Sequence, residues 1–176
     1  MSSQKYHPTM VALHWLMFVL IVAALASIEI RGWIPHESGA SLRDRLINWH
    51  IDAGVLILLF VLLRVLTRAR VGVPAASASG ATALAARALH ACLYLVMLLQ
   101  PLSGMVMTQL AGYDVELFGL ALPTVFSENS GWHDQVGEVH HFLGNALYFL
   151  IGGHVLAALW HHLILKQQTL KRMSFK

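Results

Sequence analysis

Four stretches of this chain stay apolar long enough to cross a hydrocarbon layer, and polar residues fill the intervals between them. The runs cover Met10–Ile28, Asn48–Leu66, Leu84–Leu110 and Val139–Leu165. A helix rises about 1.5 Å per residue, so roughly 20 residues suffice for a bilayer core. Between the second and third runs, Val71–Thr82 is rich in Ala, Ser and Gly and contains Pro74, which predicts a flexible connection. The third and fourth are joined by a longer polar segment, Ala111–Glu138, with Gly112, Gly119, Pro123 and Gly131. No internal repeat or low-complexity tract stands out. The expected fold is all-α: one domain over residues 1–176, built as an integral membrane four-helix bundle. Gln100-Pro101 with Gly104 predicts a kink in the third helix, tolerated where neighbours satisfy the freed carbonyl.

Composition agrees with the pattern. Hydrophobic residues make up 57% and charged residues 12%, against roughly a quarter charged in a soluble domain. Charge then orients the bundle. Lys5, Arg64, Arg68, Arg70, Arg87, Lys166, Lys171, Arg172 and Lys176 fall at the N-terminus, the second connection or the C-terminus, which share one side of a four-span chain. Only Arg31, Arg43 and Arg45 lie on the other side, together with all nine acidic residues. The positive-inside rule therefore predicts both termini in the cytoplasm, and an odd number of spans would scramble this separation. A net charge of +3, taken alone, would suggest nucleic acid as a partner. Here the cations flank apolar spans, and orientation with anionic lipid explains them better. Trp15, Trp33, Trp49, Trp132 and Trp160 lie near span ends, where interfacial belts form. The first apolar run shows no small-residue cleavage signature and is expected to be a retained helix.

Cys92 is the single cysteine, so an internal disulfide is excluded, and without a C-x-x-C-H motif so is covalent haem attachment. Eleven histidines are a heavy load for so apolar a chain. Histidine within a span is costly and marks a functional site by default. His14 lies near the start of the first span, His50 begins the second, and the fourth carries His140 at one end and His154 deeper in. His140 and His154 are fourteen residues apart, close to four turns, hence on one face and about 21 Å apart along the axis. Depth pairs His50 with His140 at the outer level and His14 with His154 at the inner level. Four imidazoles at two matched levels fit two haem irons, each closed by two axial histidines, a state suited to electron transfer. Gly54 and Gly144 each follow a histidine by four residues on its own face, where a flat macrocycle needs a neighbour without a side chain. A histidine-rich metal permease would ordinarily add carboxylates within the membrane, and every acidic residue here lies outside the spans or at an interface.

Leu13-His14-Trp15, Glu29-Ile30-Arg31-Gly32, His140 with Asn145 and Tyr148, His154, His161-His162, Phe118-Gly119, Pro123 and Thr169-Leu170-Lys171-Arg172-Met173 together resemble the bacterial cytochrome b-561 family. The likeness runs along nearly the whole chain and is most specific in the ligand helices. It implies axial ligands at His14, His50, His140 and His154, two haem b, ubiquinone as electron acceptor, and the inner membrane of a Gram-negative bacterium. Within the family the likeness is greatest to small stand-alone members that oxidise superoxide. The outer segments of this chain are more acidic than attraction of an anion would suggest.

A quinone needs hydrogen-bond donors at its carbonyls and a proton source. His161, seven residues after His154, and His90, early in the third helix, are the candidates, with interfacial or packing roles as the alternative. Arg31 follows the first span and could pair with haem propionates or guide an anion inward. The expected function is superoxide oxidation at the outer haem and ubiquinone reduction at the inner one. The competing expectation is a membrane conduit between quinone and a separate periplasmic redox protein.

Overall fold

The computed structural model of the protein describes residues 5–74 and 79–175, so part of the connection expected over Val71–Thr82 lies outside the described residues. Four long helices run through it: α1 Pro8–Trp33, α2 Ala40–Val71, α3 Gly80–Leu110 and α4 Ser130–Leu159. Each is long and apolar enough to cross a membrane. α4 continues into a π-helical turn, Trp160–Ile164, and a short α5, Thr169–Arg172, follows.

All four helices extend beyond the apolar runs at one end or both. Apolar residues mark where lipid would lie, whereas a helix continues until its end groups are capped. Pro8 opens α1 behind His7, and the Asn129 side chain accepts from the Trp132 amide at 3.1 Å to start α4. The consequence for the histidines is direct. His50 lies ten residues into α2 and His140 ten residues into α4, so neither sits at a helix end as expected.

A short connection makes α1–α2, and a longer polar segment α3–α4, into antiparallel pairs, which join along α2 and α3. Across the fourth side, between α1 and α4, and across both diagonals, no Cα atoms of the described residues approach within 8 Å. The buried apolar cluster is a thin layer of Ile21, Ala24, Ala53, Ile57, Leu93, Val96 and Leu147. Leu147 lies midway between His140 and His154 in sequence, so this layer separates two levels of the bundle. Many apolar side chains elsewhere point outward, Phe149 being 82% exposed. Water would penalise such a surface and lipid does not.

The all-α expectation needs one addition. The segment after α3 contains a two-stranded antiparallel hairpin, β1 Glu116–Leu117 and β2 Leu120–Ala121. Phe118 and Gly119 at its turn have φ of 52° and 81°, the doubly positive turn that matches strand twist. Gln109, buried at the end of α3, holds the rest: its Oε1 accepts from the amides of Val125 and Phe126, and its Nε2 donates to Pro123 O. The end of the bundle carrying this segment is called the hairpin end below. The opposite, termini end is tied by the Tyr6 amide donating to Arg172 O and by Trp15 Nε1 donating to Met173 O at 2.8 Å. Trp15 thus anchors the C-terminal segment, a role beyond that of a belt residue.

Candidate haem-binding sites

At the hairpin end, α2 and α4 stand apart while His50 and His140 reach across, their ring centroids 6.1 Å apart. A metal bridging two trans imidazoles through bonds of about 2 Å holds the ring centroids roughly 6 Å apart. The rings are also well fixed. His50 Nδ1 lies 2.8 Å from the carbonyl of Ala24 on α1, and His140 Nδ1 lies 3.1 Å from the carbonyl of Gln100 and 3.1 Å from Ser103 Oγ. With its proton on Nδ1 donated to a carbonyl, each ring turns a bare Nε2 to a metal, the usual support for a ligating histidine. In this structure His140 Nε2 contacts the Gln100 side-chain amide at 3.3 Å.

Around this pair lies a cavity of about 1480 Å³, larger than the roughly 300–1,000 Å³ of ordinary ligand pockets. Gly54 and Gly144 line it, as the ligand-face argument expected. A Cβ on Gly54 would meet nothing within 4 Å, and one on Gly144 would lie 3.2 Å from Gln100 Nε2. Gly104 matters more, and the sequence indicated it only as part of a kink. A Cβ there would come within 2.9 Å of His140 Cε1, so the absent side chain is what lets the ring lie against α3. α3 itself runs unbroken through Pro101.

Two buried polar atoms have no partner among the described residues, Arg31 Nε and Gln100 Oε1, and both residues line this cavity. An unpaired buried guanidinium nitrogen calls for an acceptor. Bare imidazole nitrogens, a cradle that a Cβ would fill and an unanswered cation fit a b-type haem with its propionates. Arg43 has a different fate. It is buried, and its Nη1 donates to the carbonyls of Arg31 and Ile34, both at 2.7 Å, so it caps α1. Arg31 and Arg45 are left as the cations lining the cavity, beside Glu29, Asp44, Asp52, Asp114 and Glu116.

At the termini end, His14 on α1 and His154 on α4 bring their ring centroids to 6.2 Å. The separation matches the other pair and again bridges helices whose backbones stay apart. His154 is fourteen residues from His140 on an unbroken helix, about 21 Å along its axis. His90 packs edge-on against His154 at 5.3 Å, too close for a metal between trans rings. It stands beside the pair as a third imidazole.

His161 lies in the π-helical turn and lines a shallow apolar groove with Leu156, Leu159, Trp160 and Ile164. Single π turns recur at functional sites because they re-aim side chains. Gln167 folds back after Lys166, whose φ is 57°, and clasps both histidines. Its Oε1 meets His161 Nδ1 at 2.9 Å, its carbonyl meets His162 Nδ1 at 3.0 Å, and its amide donates to His161 O at 2.9 Å. This role has no signature in the sequence, because Gln167 follows the helix in a stretch that reads as polar tail.

A family model described as prokaryotic cytochrome b561 matches residues 5–176. The chain is 32% identical over 175 residues to a probable superoxide oxidase CybB of Yersinia pestis, covering 98% of this chain and 97% of that one. It is 29% identical to cytochrome b561 homolog 1 of Escherichia coli (strain K12), over 96% of each chain. Homolog 2 of the same organism is 29% identical over 99% of this chain and 94% of its own. With four membrane-length helices and paired imidazoles between them, this chain belongs to the prokaryotic cytochrome b561 family: it is a multi-pass membrane cytochrome that binds haem b and transfers electrons.

Proposed function

We propose that the protein holds two b-type haems, one between His50 and His140 and one between His14 and His154, and that it oxidises superoxide at the hairpin end and reduces ubiquinone at the termini end. The observation that carries the proposal is the pair of imidazole bridges, 6.1 and 6.2 Å between ring centroids, across helices whose backbones do not meet. Likeness to a probable superoxide oxidase supports the choice of electron donor. The charge separation along the sequence supports a termini end in the cytoplasm and a hairpin end in the periplasm of a bacterial inner membrane.

Bound haem supplies a one-electron carrier at each level. The residues do the rest. Two superoxide anions each give up one electron and leave as dioxygen, while ubiquinone takes up two electrons and two protons to become ubiquinol. Arg31, with its unanswered Nε in the cavity wall, binds a propionate and adds positive charge where an anion approaches. His161 faces an apolar groove open to lipid, the direction from which a quinone arrives. Gln167 Oε1 accepts from His161 Nδ1 whether the ring is neutral or cationic, so the ring exchanges its mobile proton at Nε2. His90, against His154, is a second proton-bearing group at that level.

The conduit alternative draws on the hairpin end as well, where Asp44, Asp114, Glu116, Asp134 and Glu138 are all exposed and could meet a basic redox protein. The test mixes the purified, oxidised protein with superoxide and quinone and no other protein. Two haems per chain, rapid haem reduction, and a rate that falls with Arg31→Glu are expected, because that substitution reverses the charge in the cavity wall where the anion approaches. Reduction no faster than that of free haem, alongside fast exchange with a co-purifying periplasmic protein, would hand the function to the conduit.

A further inference from the structure

The two imidazole pairs share a ring separation and differ in what holds the rings. Both hairpin-end rings have Nδ1 against a main-chain carbonyl, His50 on Ala24 O at 2.8 Å and His140 on Gln100 O at 3.1 Å, with Ser103 Oγ a further 3.1 Å partner of His140. Among the described residues no hydrogen bond reaches a ring nitrogen of His14 or His154, which have only edge contacts with Trp15, His90 and each other. A carbonyl that accepts from Nδ1–H makes the imidazole a stronger electron donor through Nε2. A stronger donor favours the oxidised iron and lowers its potential, one of the few means a protein has to tune a haem.

Fixed charge acts in the same direction. The hairpin-end cavity is lined by the carboxylates of Glu29, Asp44, Asp52, Asp114 and Glu116 against the two cations of Arg31 and Arg45. A net negative wall favours the more positive, oxidised iron. At the termini end Arg64 is fixed by its Nε donating to Tyr94 Oη at 3.0 Å, within electrostatic reach of His14 and His154. A nearby cation favours the reduced iron.

Building on the proposed two-haem arrangement, we infer that the carbonyl-anchored pair His50/His140 holds the lower-potential haem and the unanchored pair His14/His154 the higher-potential one, so that the chain's own hydrogen bonds and charges direct electrons from the hairpin end to the termini end. Ser103 and Arg64 are then positioning residues for potential, acting through the ligands without touching a substrate.

The experiment is a spectroscopic redox titration of the haem-loaded protein, wild type and two variants. Two separated waves are expected. Ser103→Ala removes one acceptor from His140 and should move only the lower wave, upward, changing the equilibrium between the two irons by up to about tenfold. Arg64→Gln should move only the upper wave, downward. His14→Ala and His50→Ala, which each leave one haem, add an independent check: the haem left in His14→Ala should titrate below the one left in His50→Ala. The Ser103 and Arg64 variants decide the matter even where those two do not assemble. Two haems titrating as one wave, or Ser103→Ala moving the upper wave, would overturn the inference and leave the two-haem proposal intact. Fewer than two haems in the wild-type protein would overturn that proposal and the inference with it.

Discussion

The two ends of the bundle carry the same pair of imidazoles in different surroundings. At the hairpin end a roomy cavity is walled by charged side chains and an ordered loop, with Phe118 among its lining. At the termini end His161 lines an apolar groove formed by the end of α4 and its π-helical turn. The first suits a small water-borne ion and the second a long apolar molecule moving in lipid. One helix, α4, supplies a ligand candidate to each level, and its fourteen-residue interval sets their separation. What distinguishes the ends is the second layer of residues, contributed by the helices as well as by the segments between and after them.

The largest effect is expected where the likeness between the ends is broken. Gly104 touches only the hairpin-end pair. Gly104→Val should abolish one haem of two, as His140→Ala should, because the new Cβ occupies space now held by the His140 ring. His14→Ala should remove the other haem, whereas replacing the exposed His7 or His36 should remove none. A haem count and absorption spectrum on each purified variant make the measurement. Full occupancy in Gly104→Val would mean that His140 can ligate from another position and that the glycine is incidental.

This asymmetry also marks how far the sequence could be read. Span number, ligand candidates and their pairing follow from periodicity, depth and charge, which are properties of the main chain and of the bilayer. The fine structure of each site was not legible, for physical reasons. Arg43 looks like a free surface cation, yet its reach back to the carbonyls of Arg31 and Ile34 depends on how the α1–α2 turn closes. Gln109 and Gln167 are polar residues near helix ends, and only a folded loop shows that the first organises backbone groups and the second two imidazoles. Gly104 looked like part of a kink because its neighbour His140 is distant in sequence. The helices also outran their apolar cores, which placed His50 and His140 deeper within them than hydropathy implied.

A smaller, purely kinetic effect should separate the ends at the groove. His161→Ala should keep both haems and lose most quinone-dependent reoxidation, and His90→Ala should lose less. Gln167→Leu removes the acceptor for His161 Nδ1 but leaves the imidazole, so reoxidation should slow only several-fold. Stopped-flow reoxidation of the reduced protein by a soluble ubiquinone analogue reads all three. Superoxide-driven haem reduction at the hairpin end should be unchanged in each. Rates equal to wild type across the series would place the quinone away from this groove.

The smallest effect is expected at Phe118, on the hairpin wall. Its φ of 52° is unusual for a residue with a side chain, and its amide donates to Asp52 Oδ1 at 2.7 Å. Asp52 follows His50 by two residues on α2, so this bond ties the loop to the helix that carries one ligand candidate. Phe118→Gly relieves backbone strain of about 1 kcal/mol and adds freedom to the unfolded chain of similar size. The amide that bonds Asp52 is retained, and a side chain already 70% exposed gives up little burial. Opposing terms of equal size predict a change in unfolding free energy of less than about 1 kcal/mol. Asp52→Ala keeps the strain and removes the bond, so it should destabilise by about 1–2 kcal/mol. Thermal unfolding of the haem-loaded protein in detergent compares the two. A Phe118→Gly protein less stable than Asp52→Ala would show that the phenyl ring itself braces the cavity, and the hairpin would then belong to the haem pocket rather than to its rim.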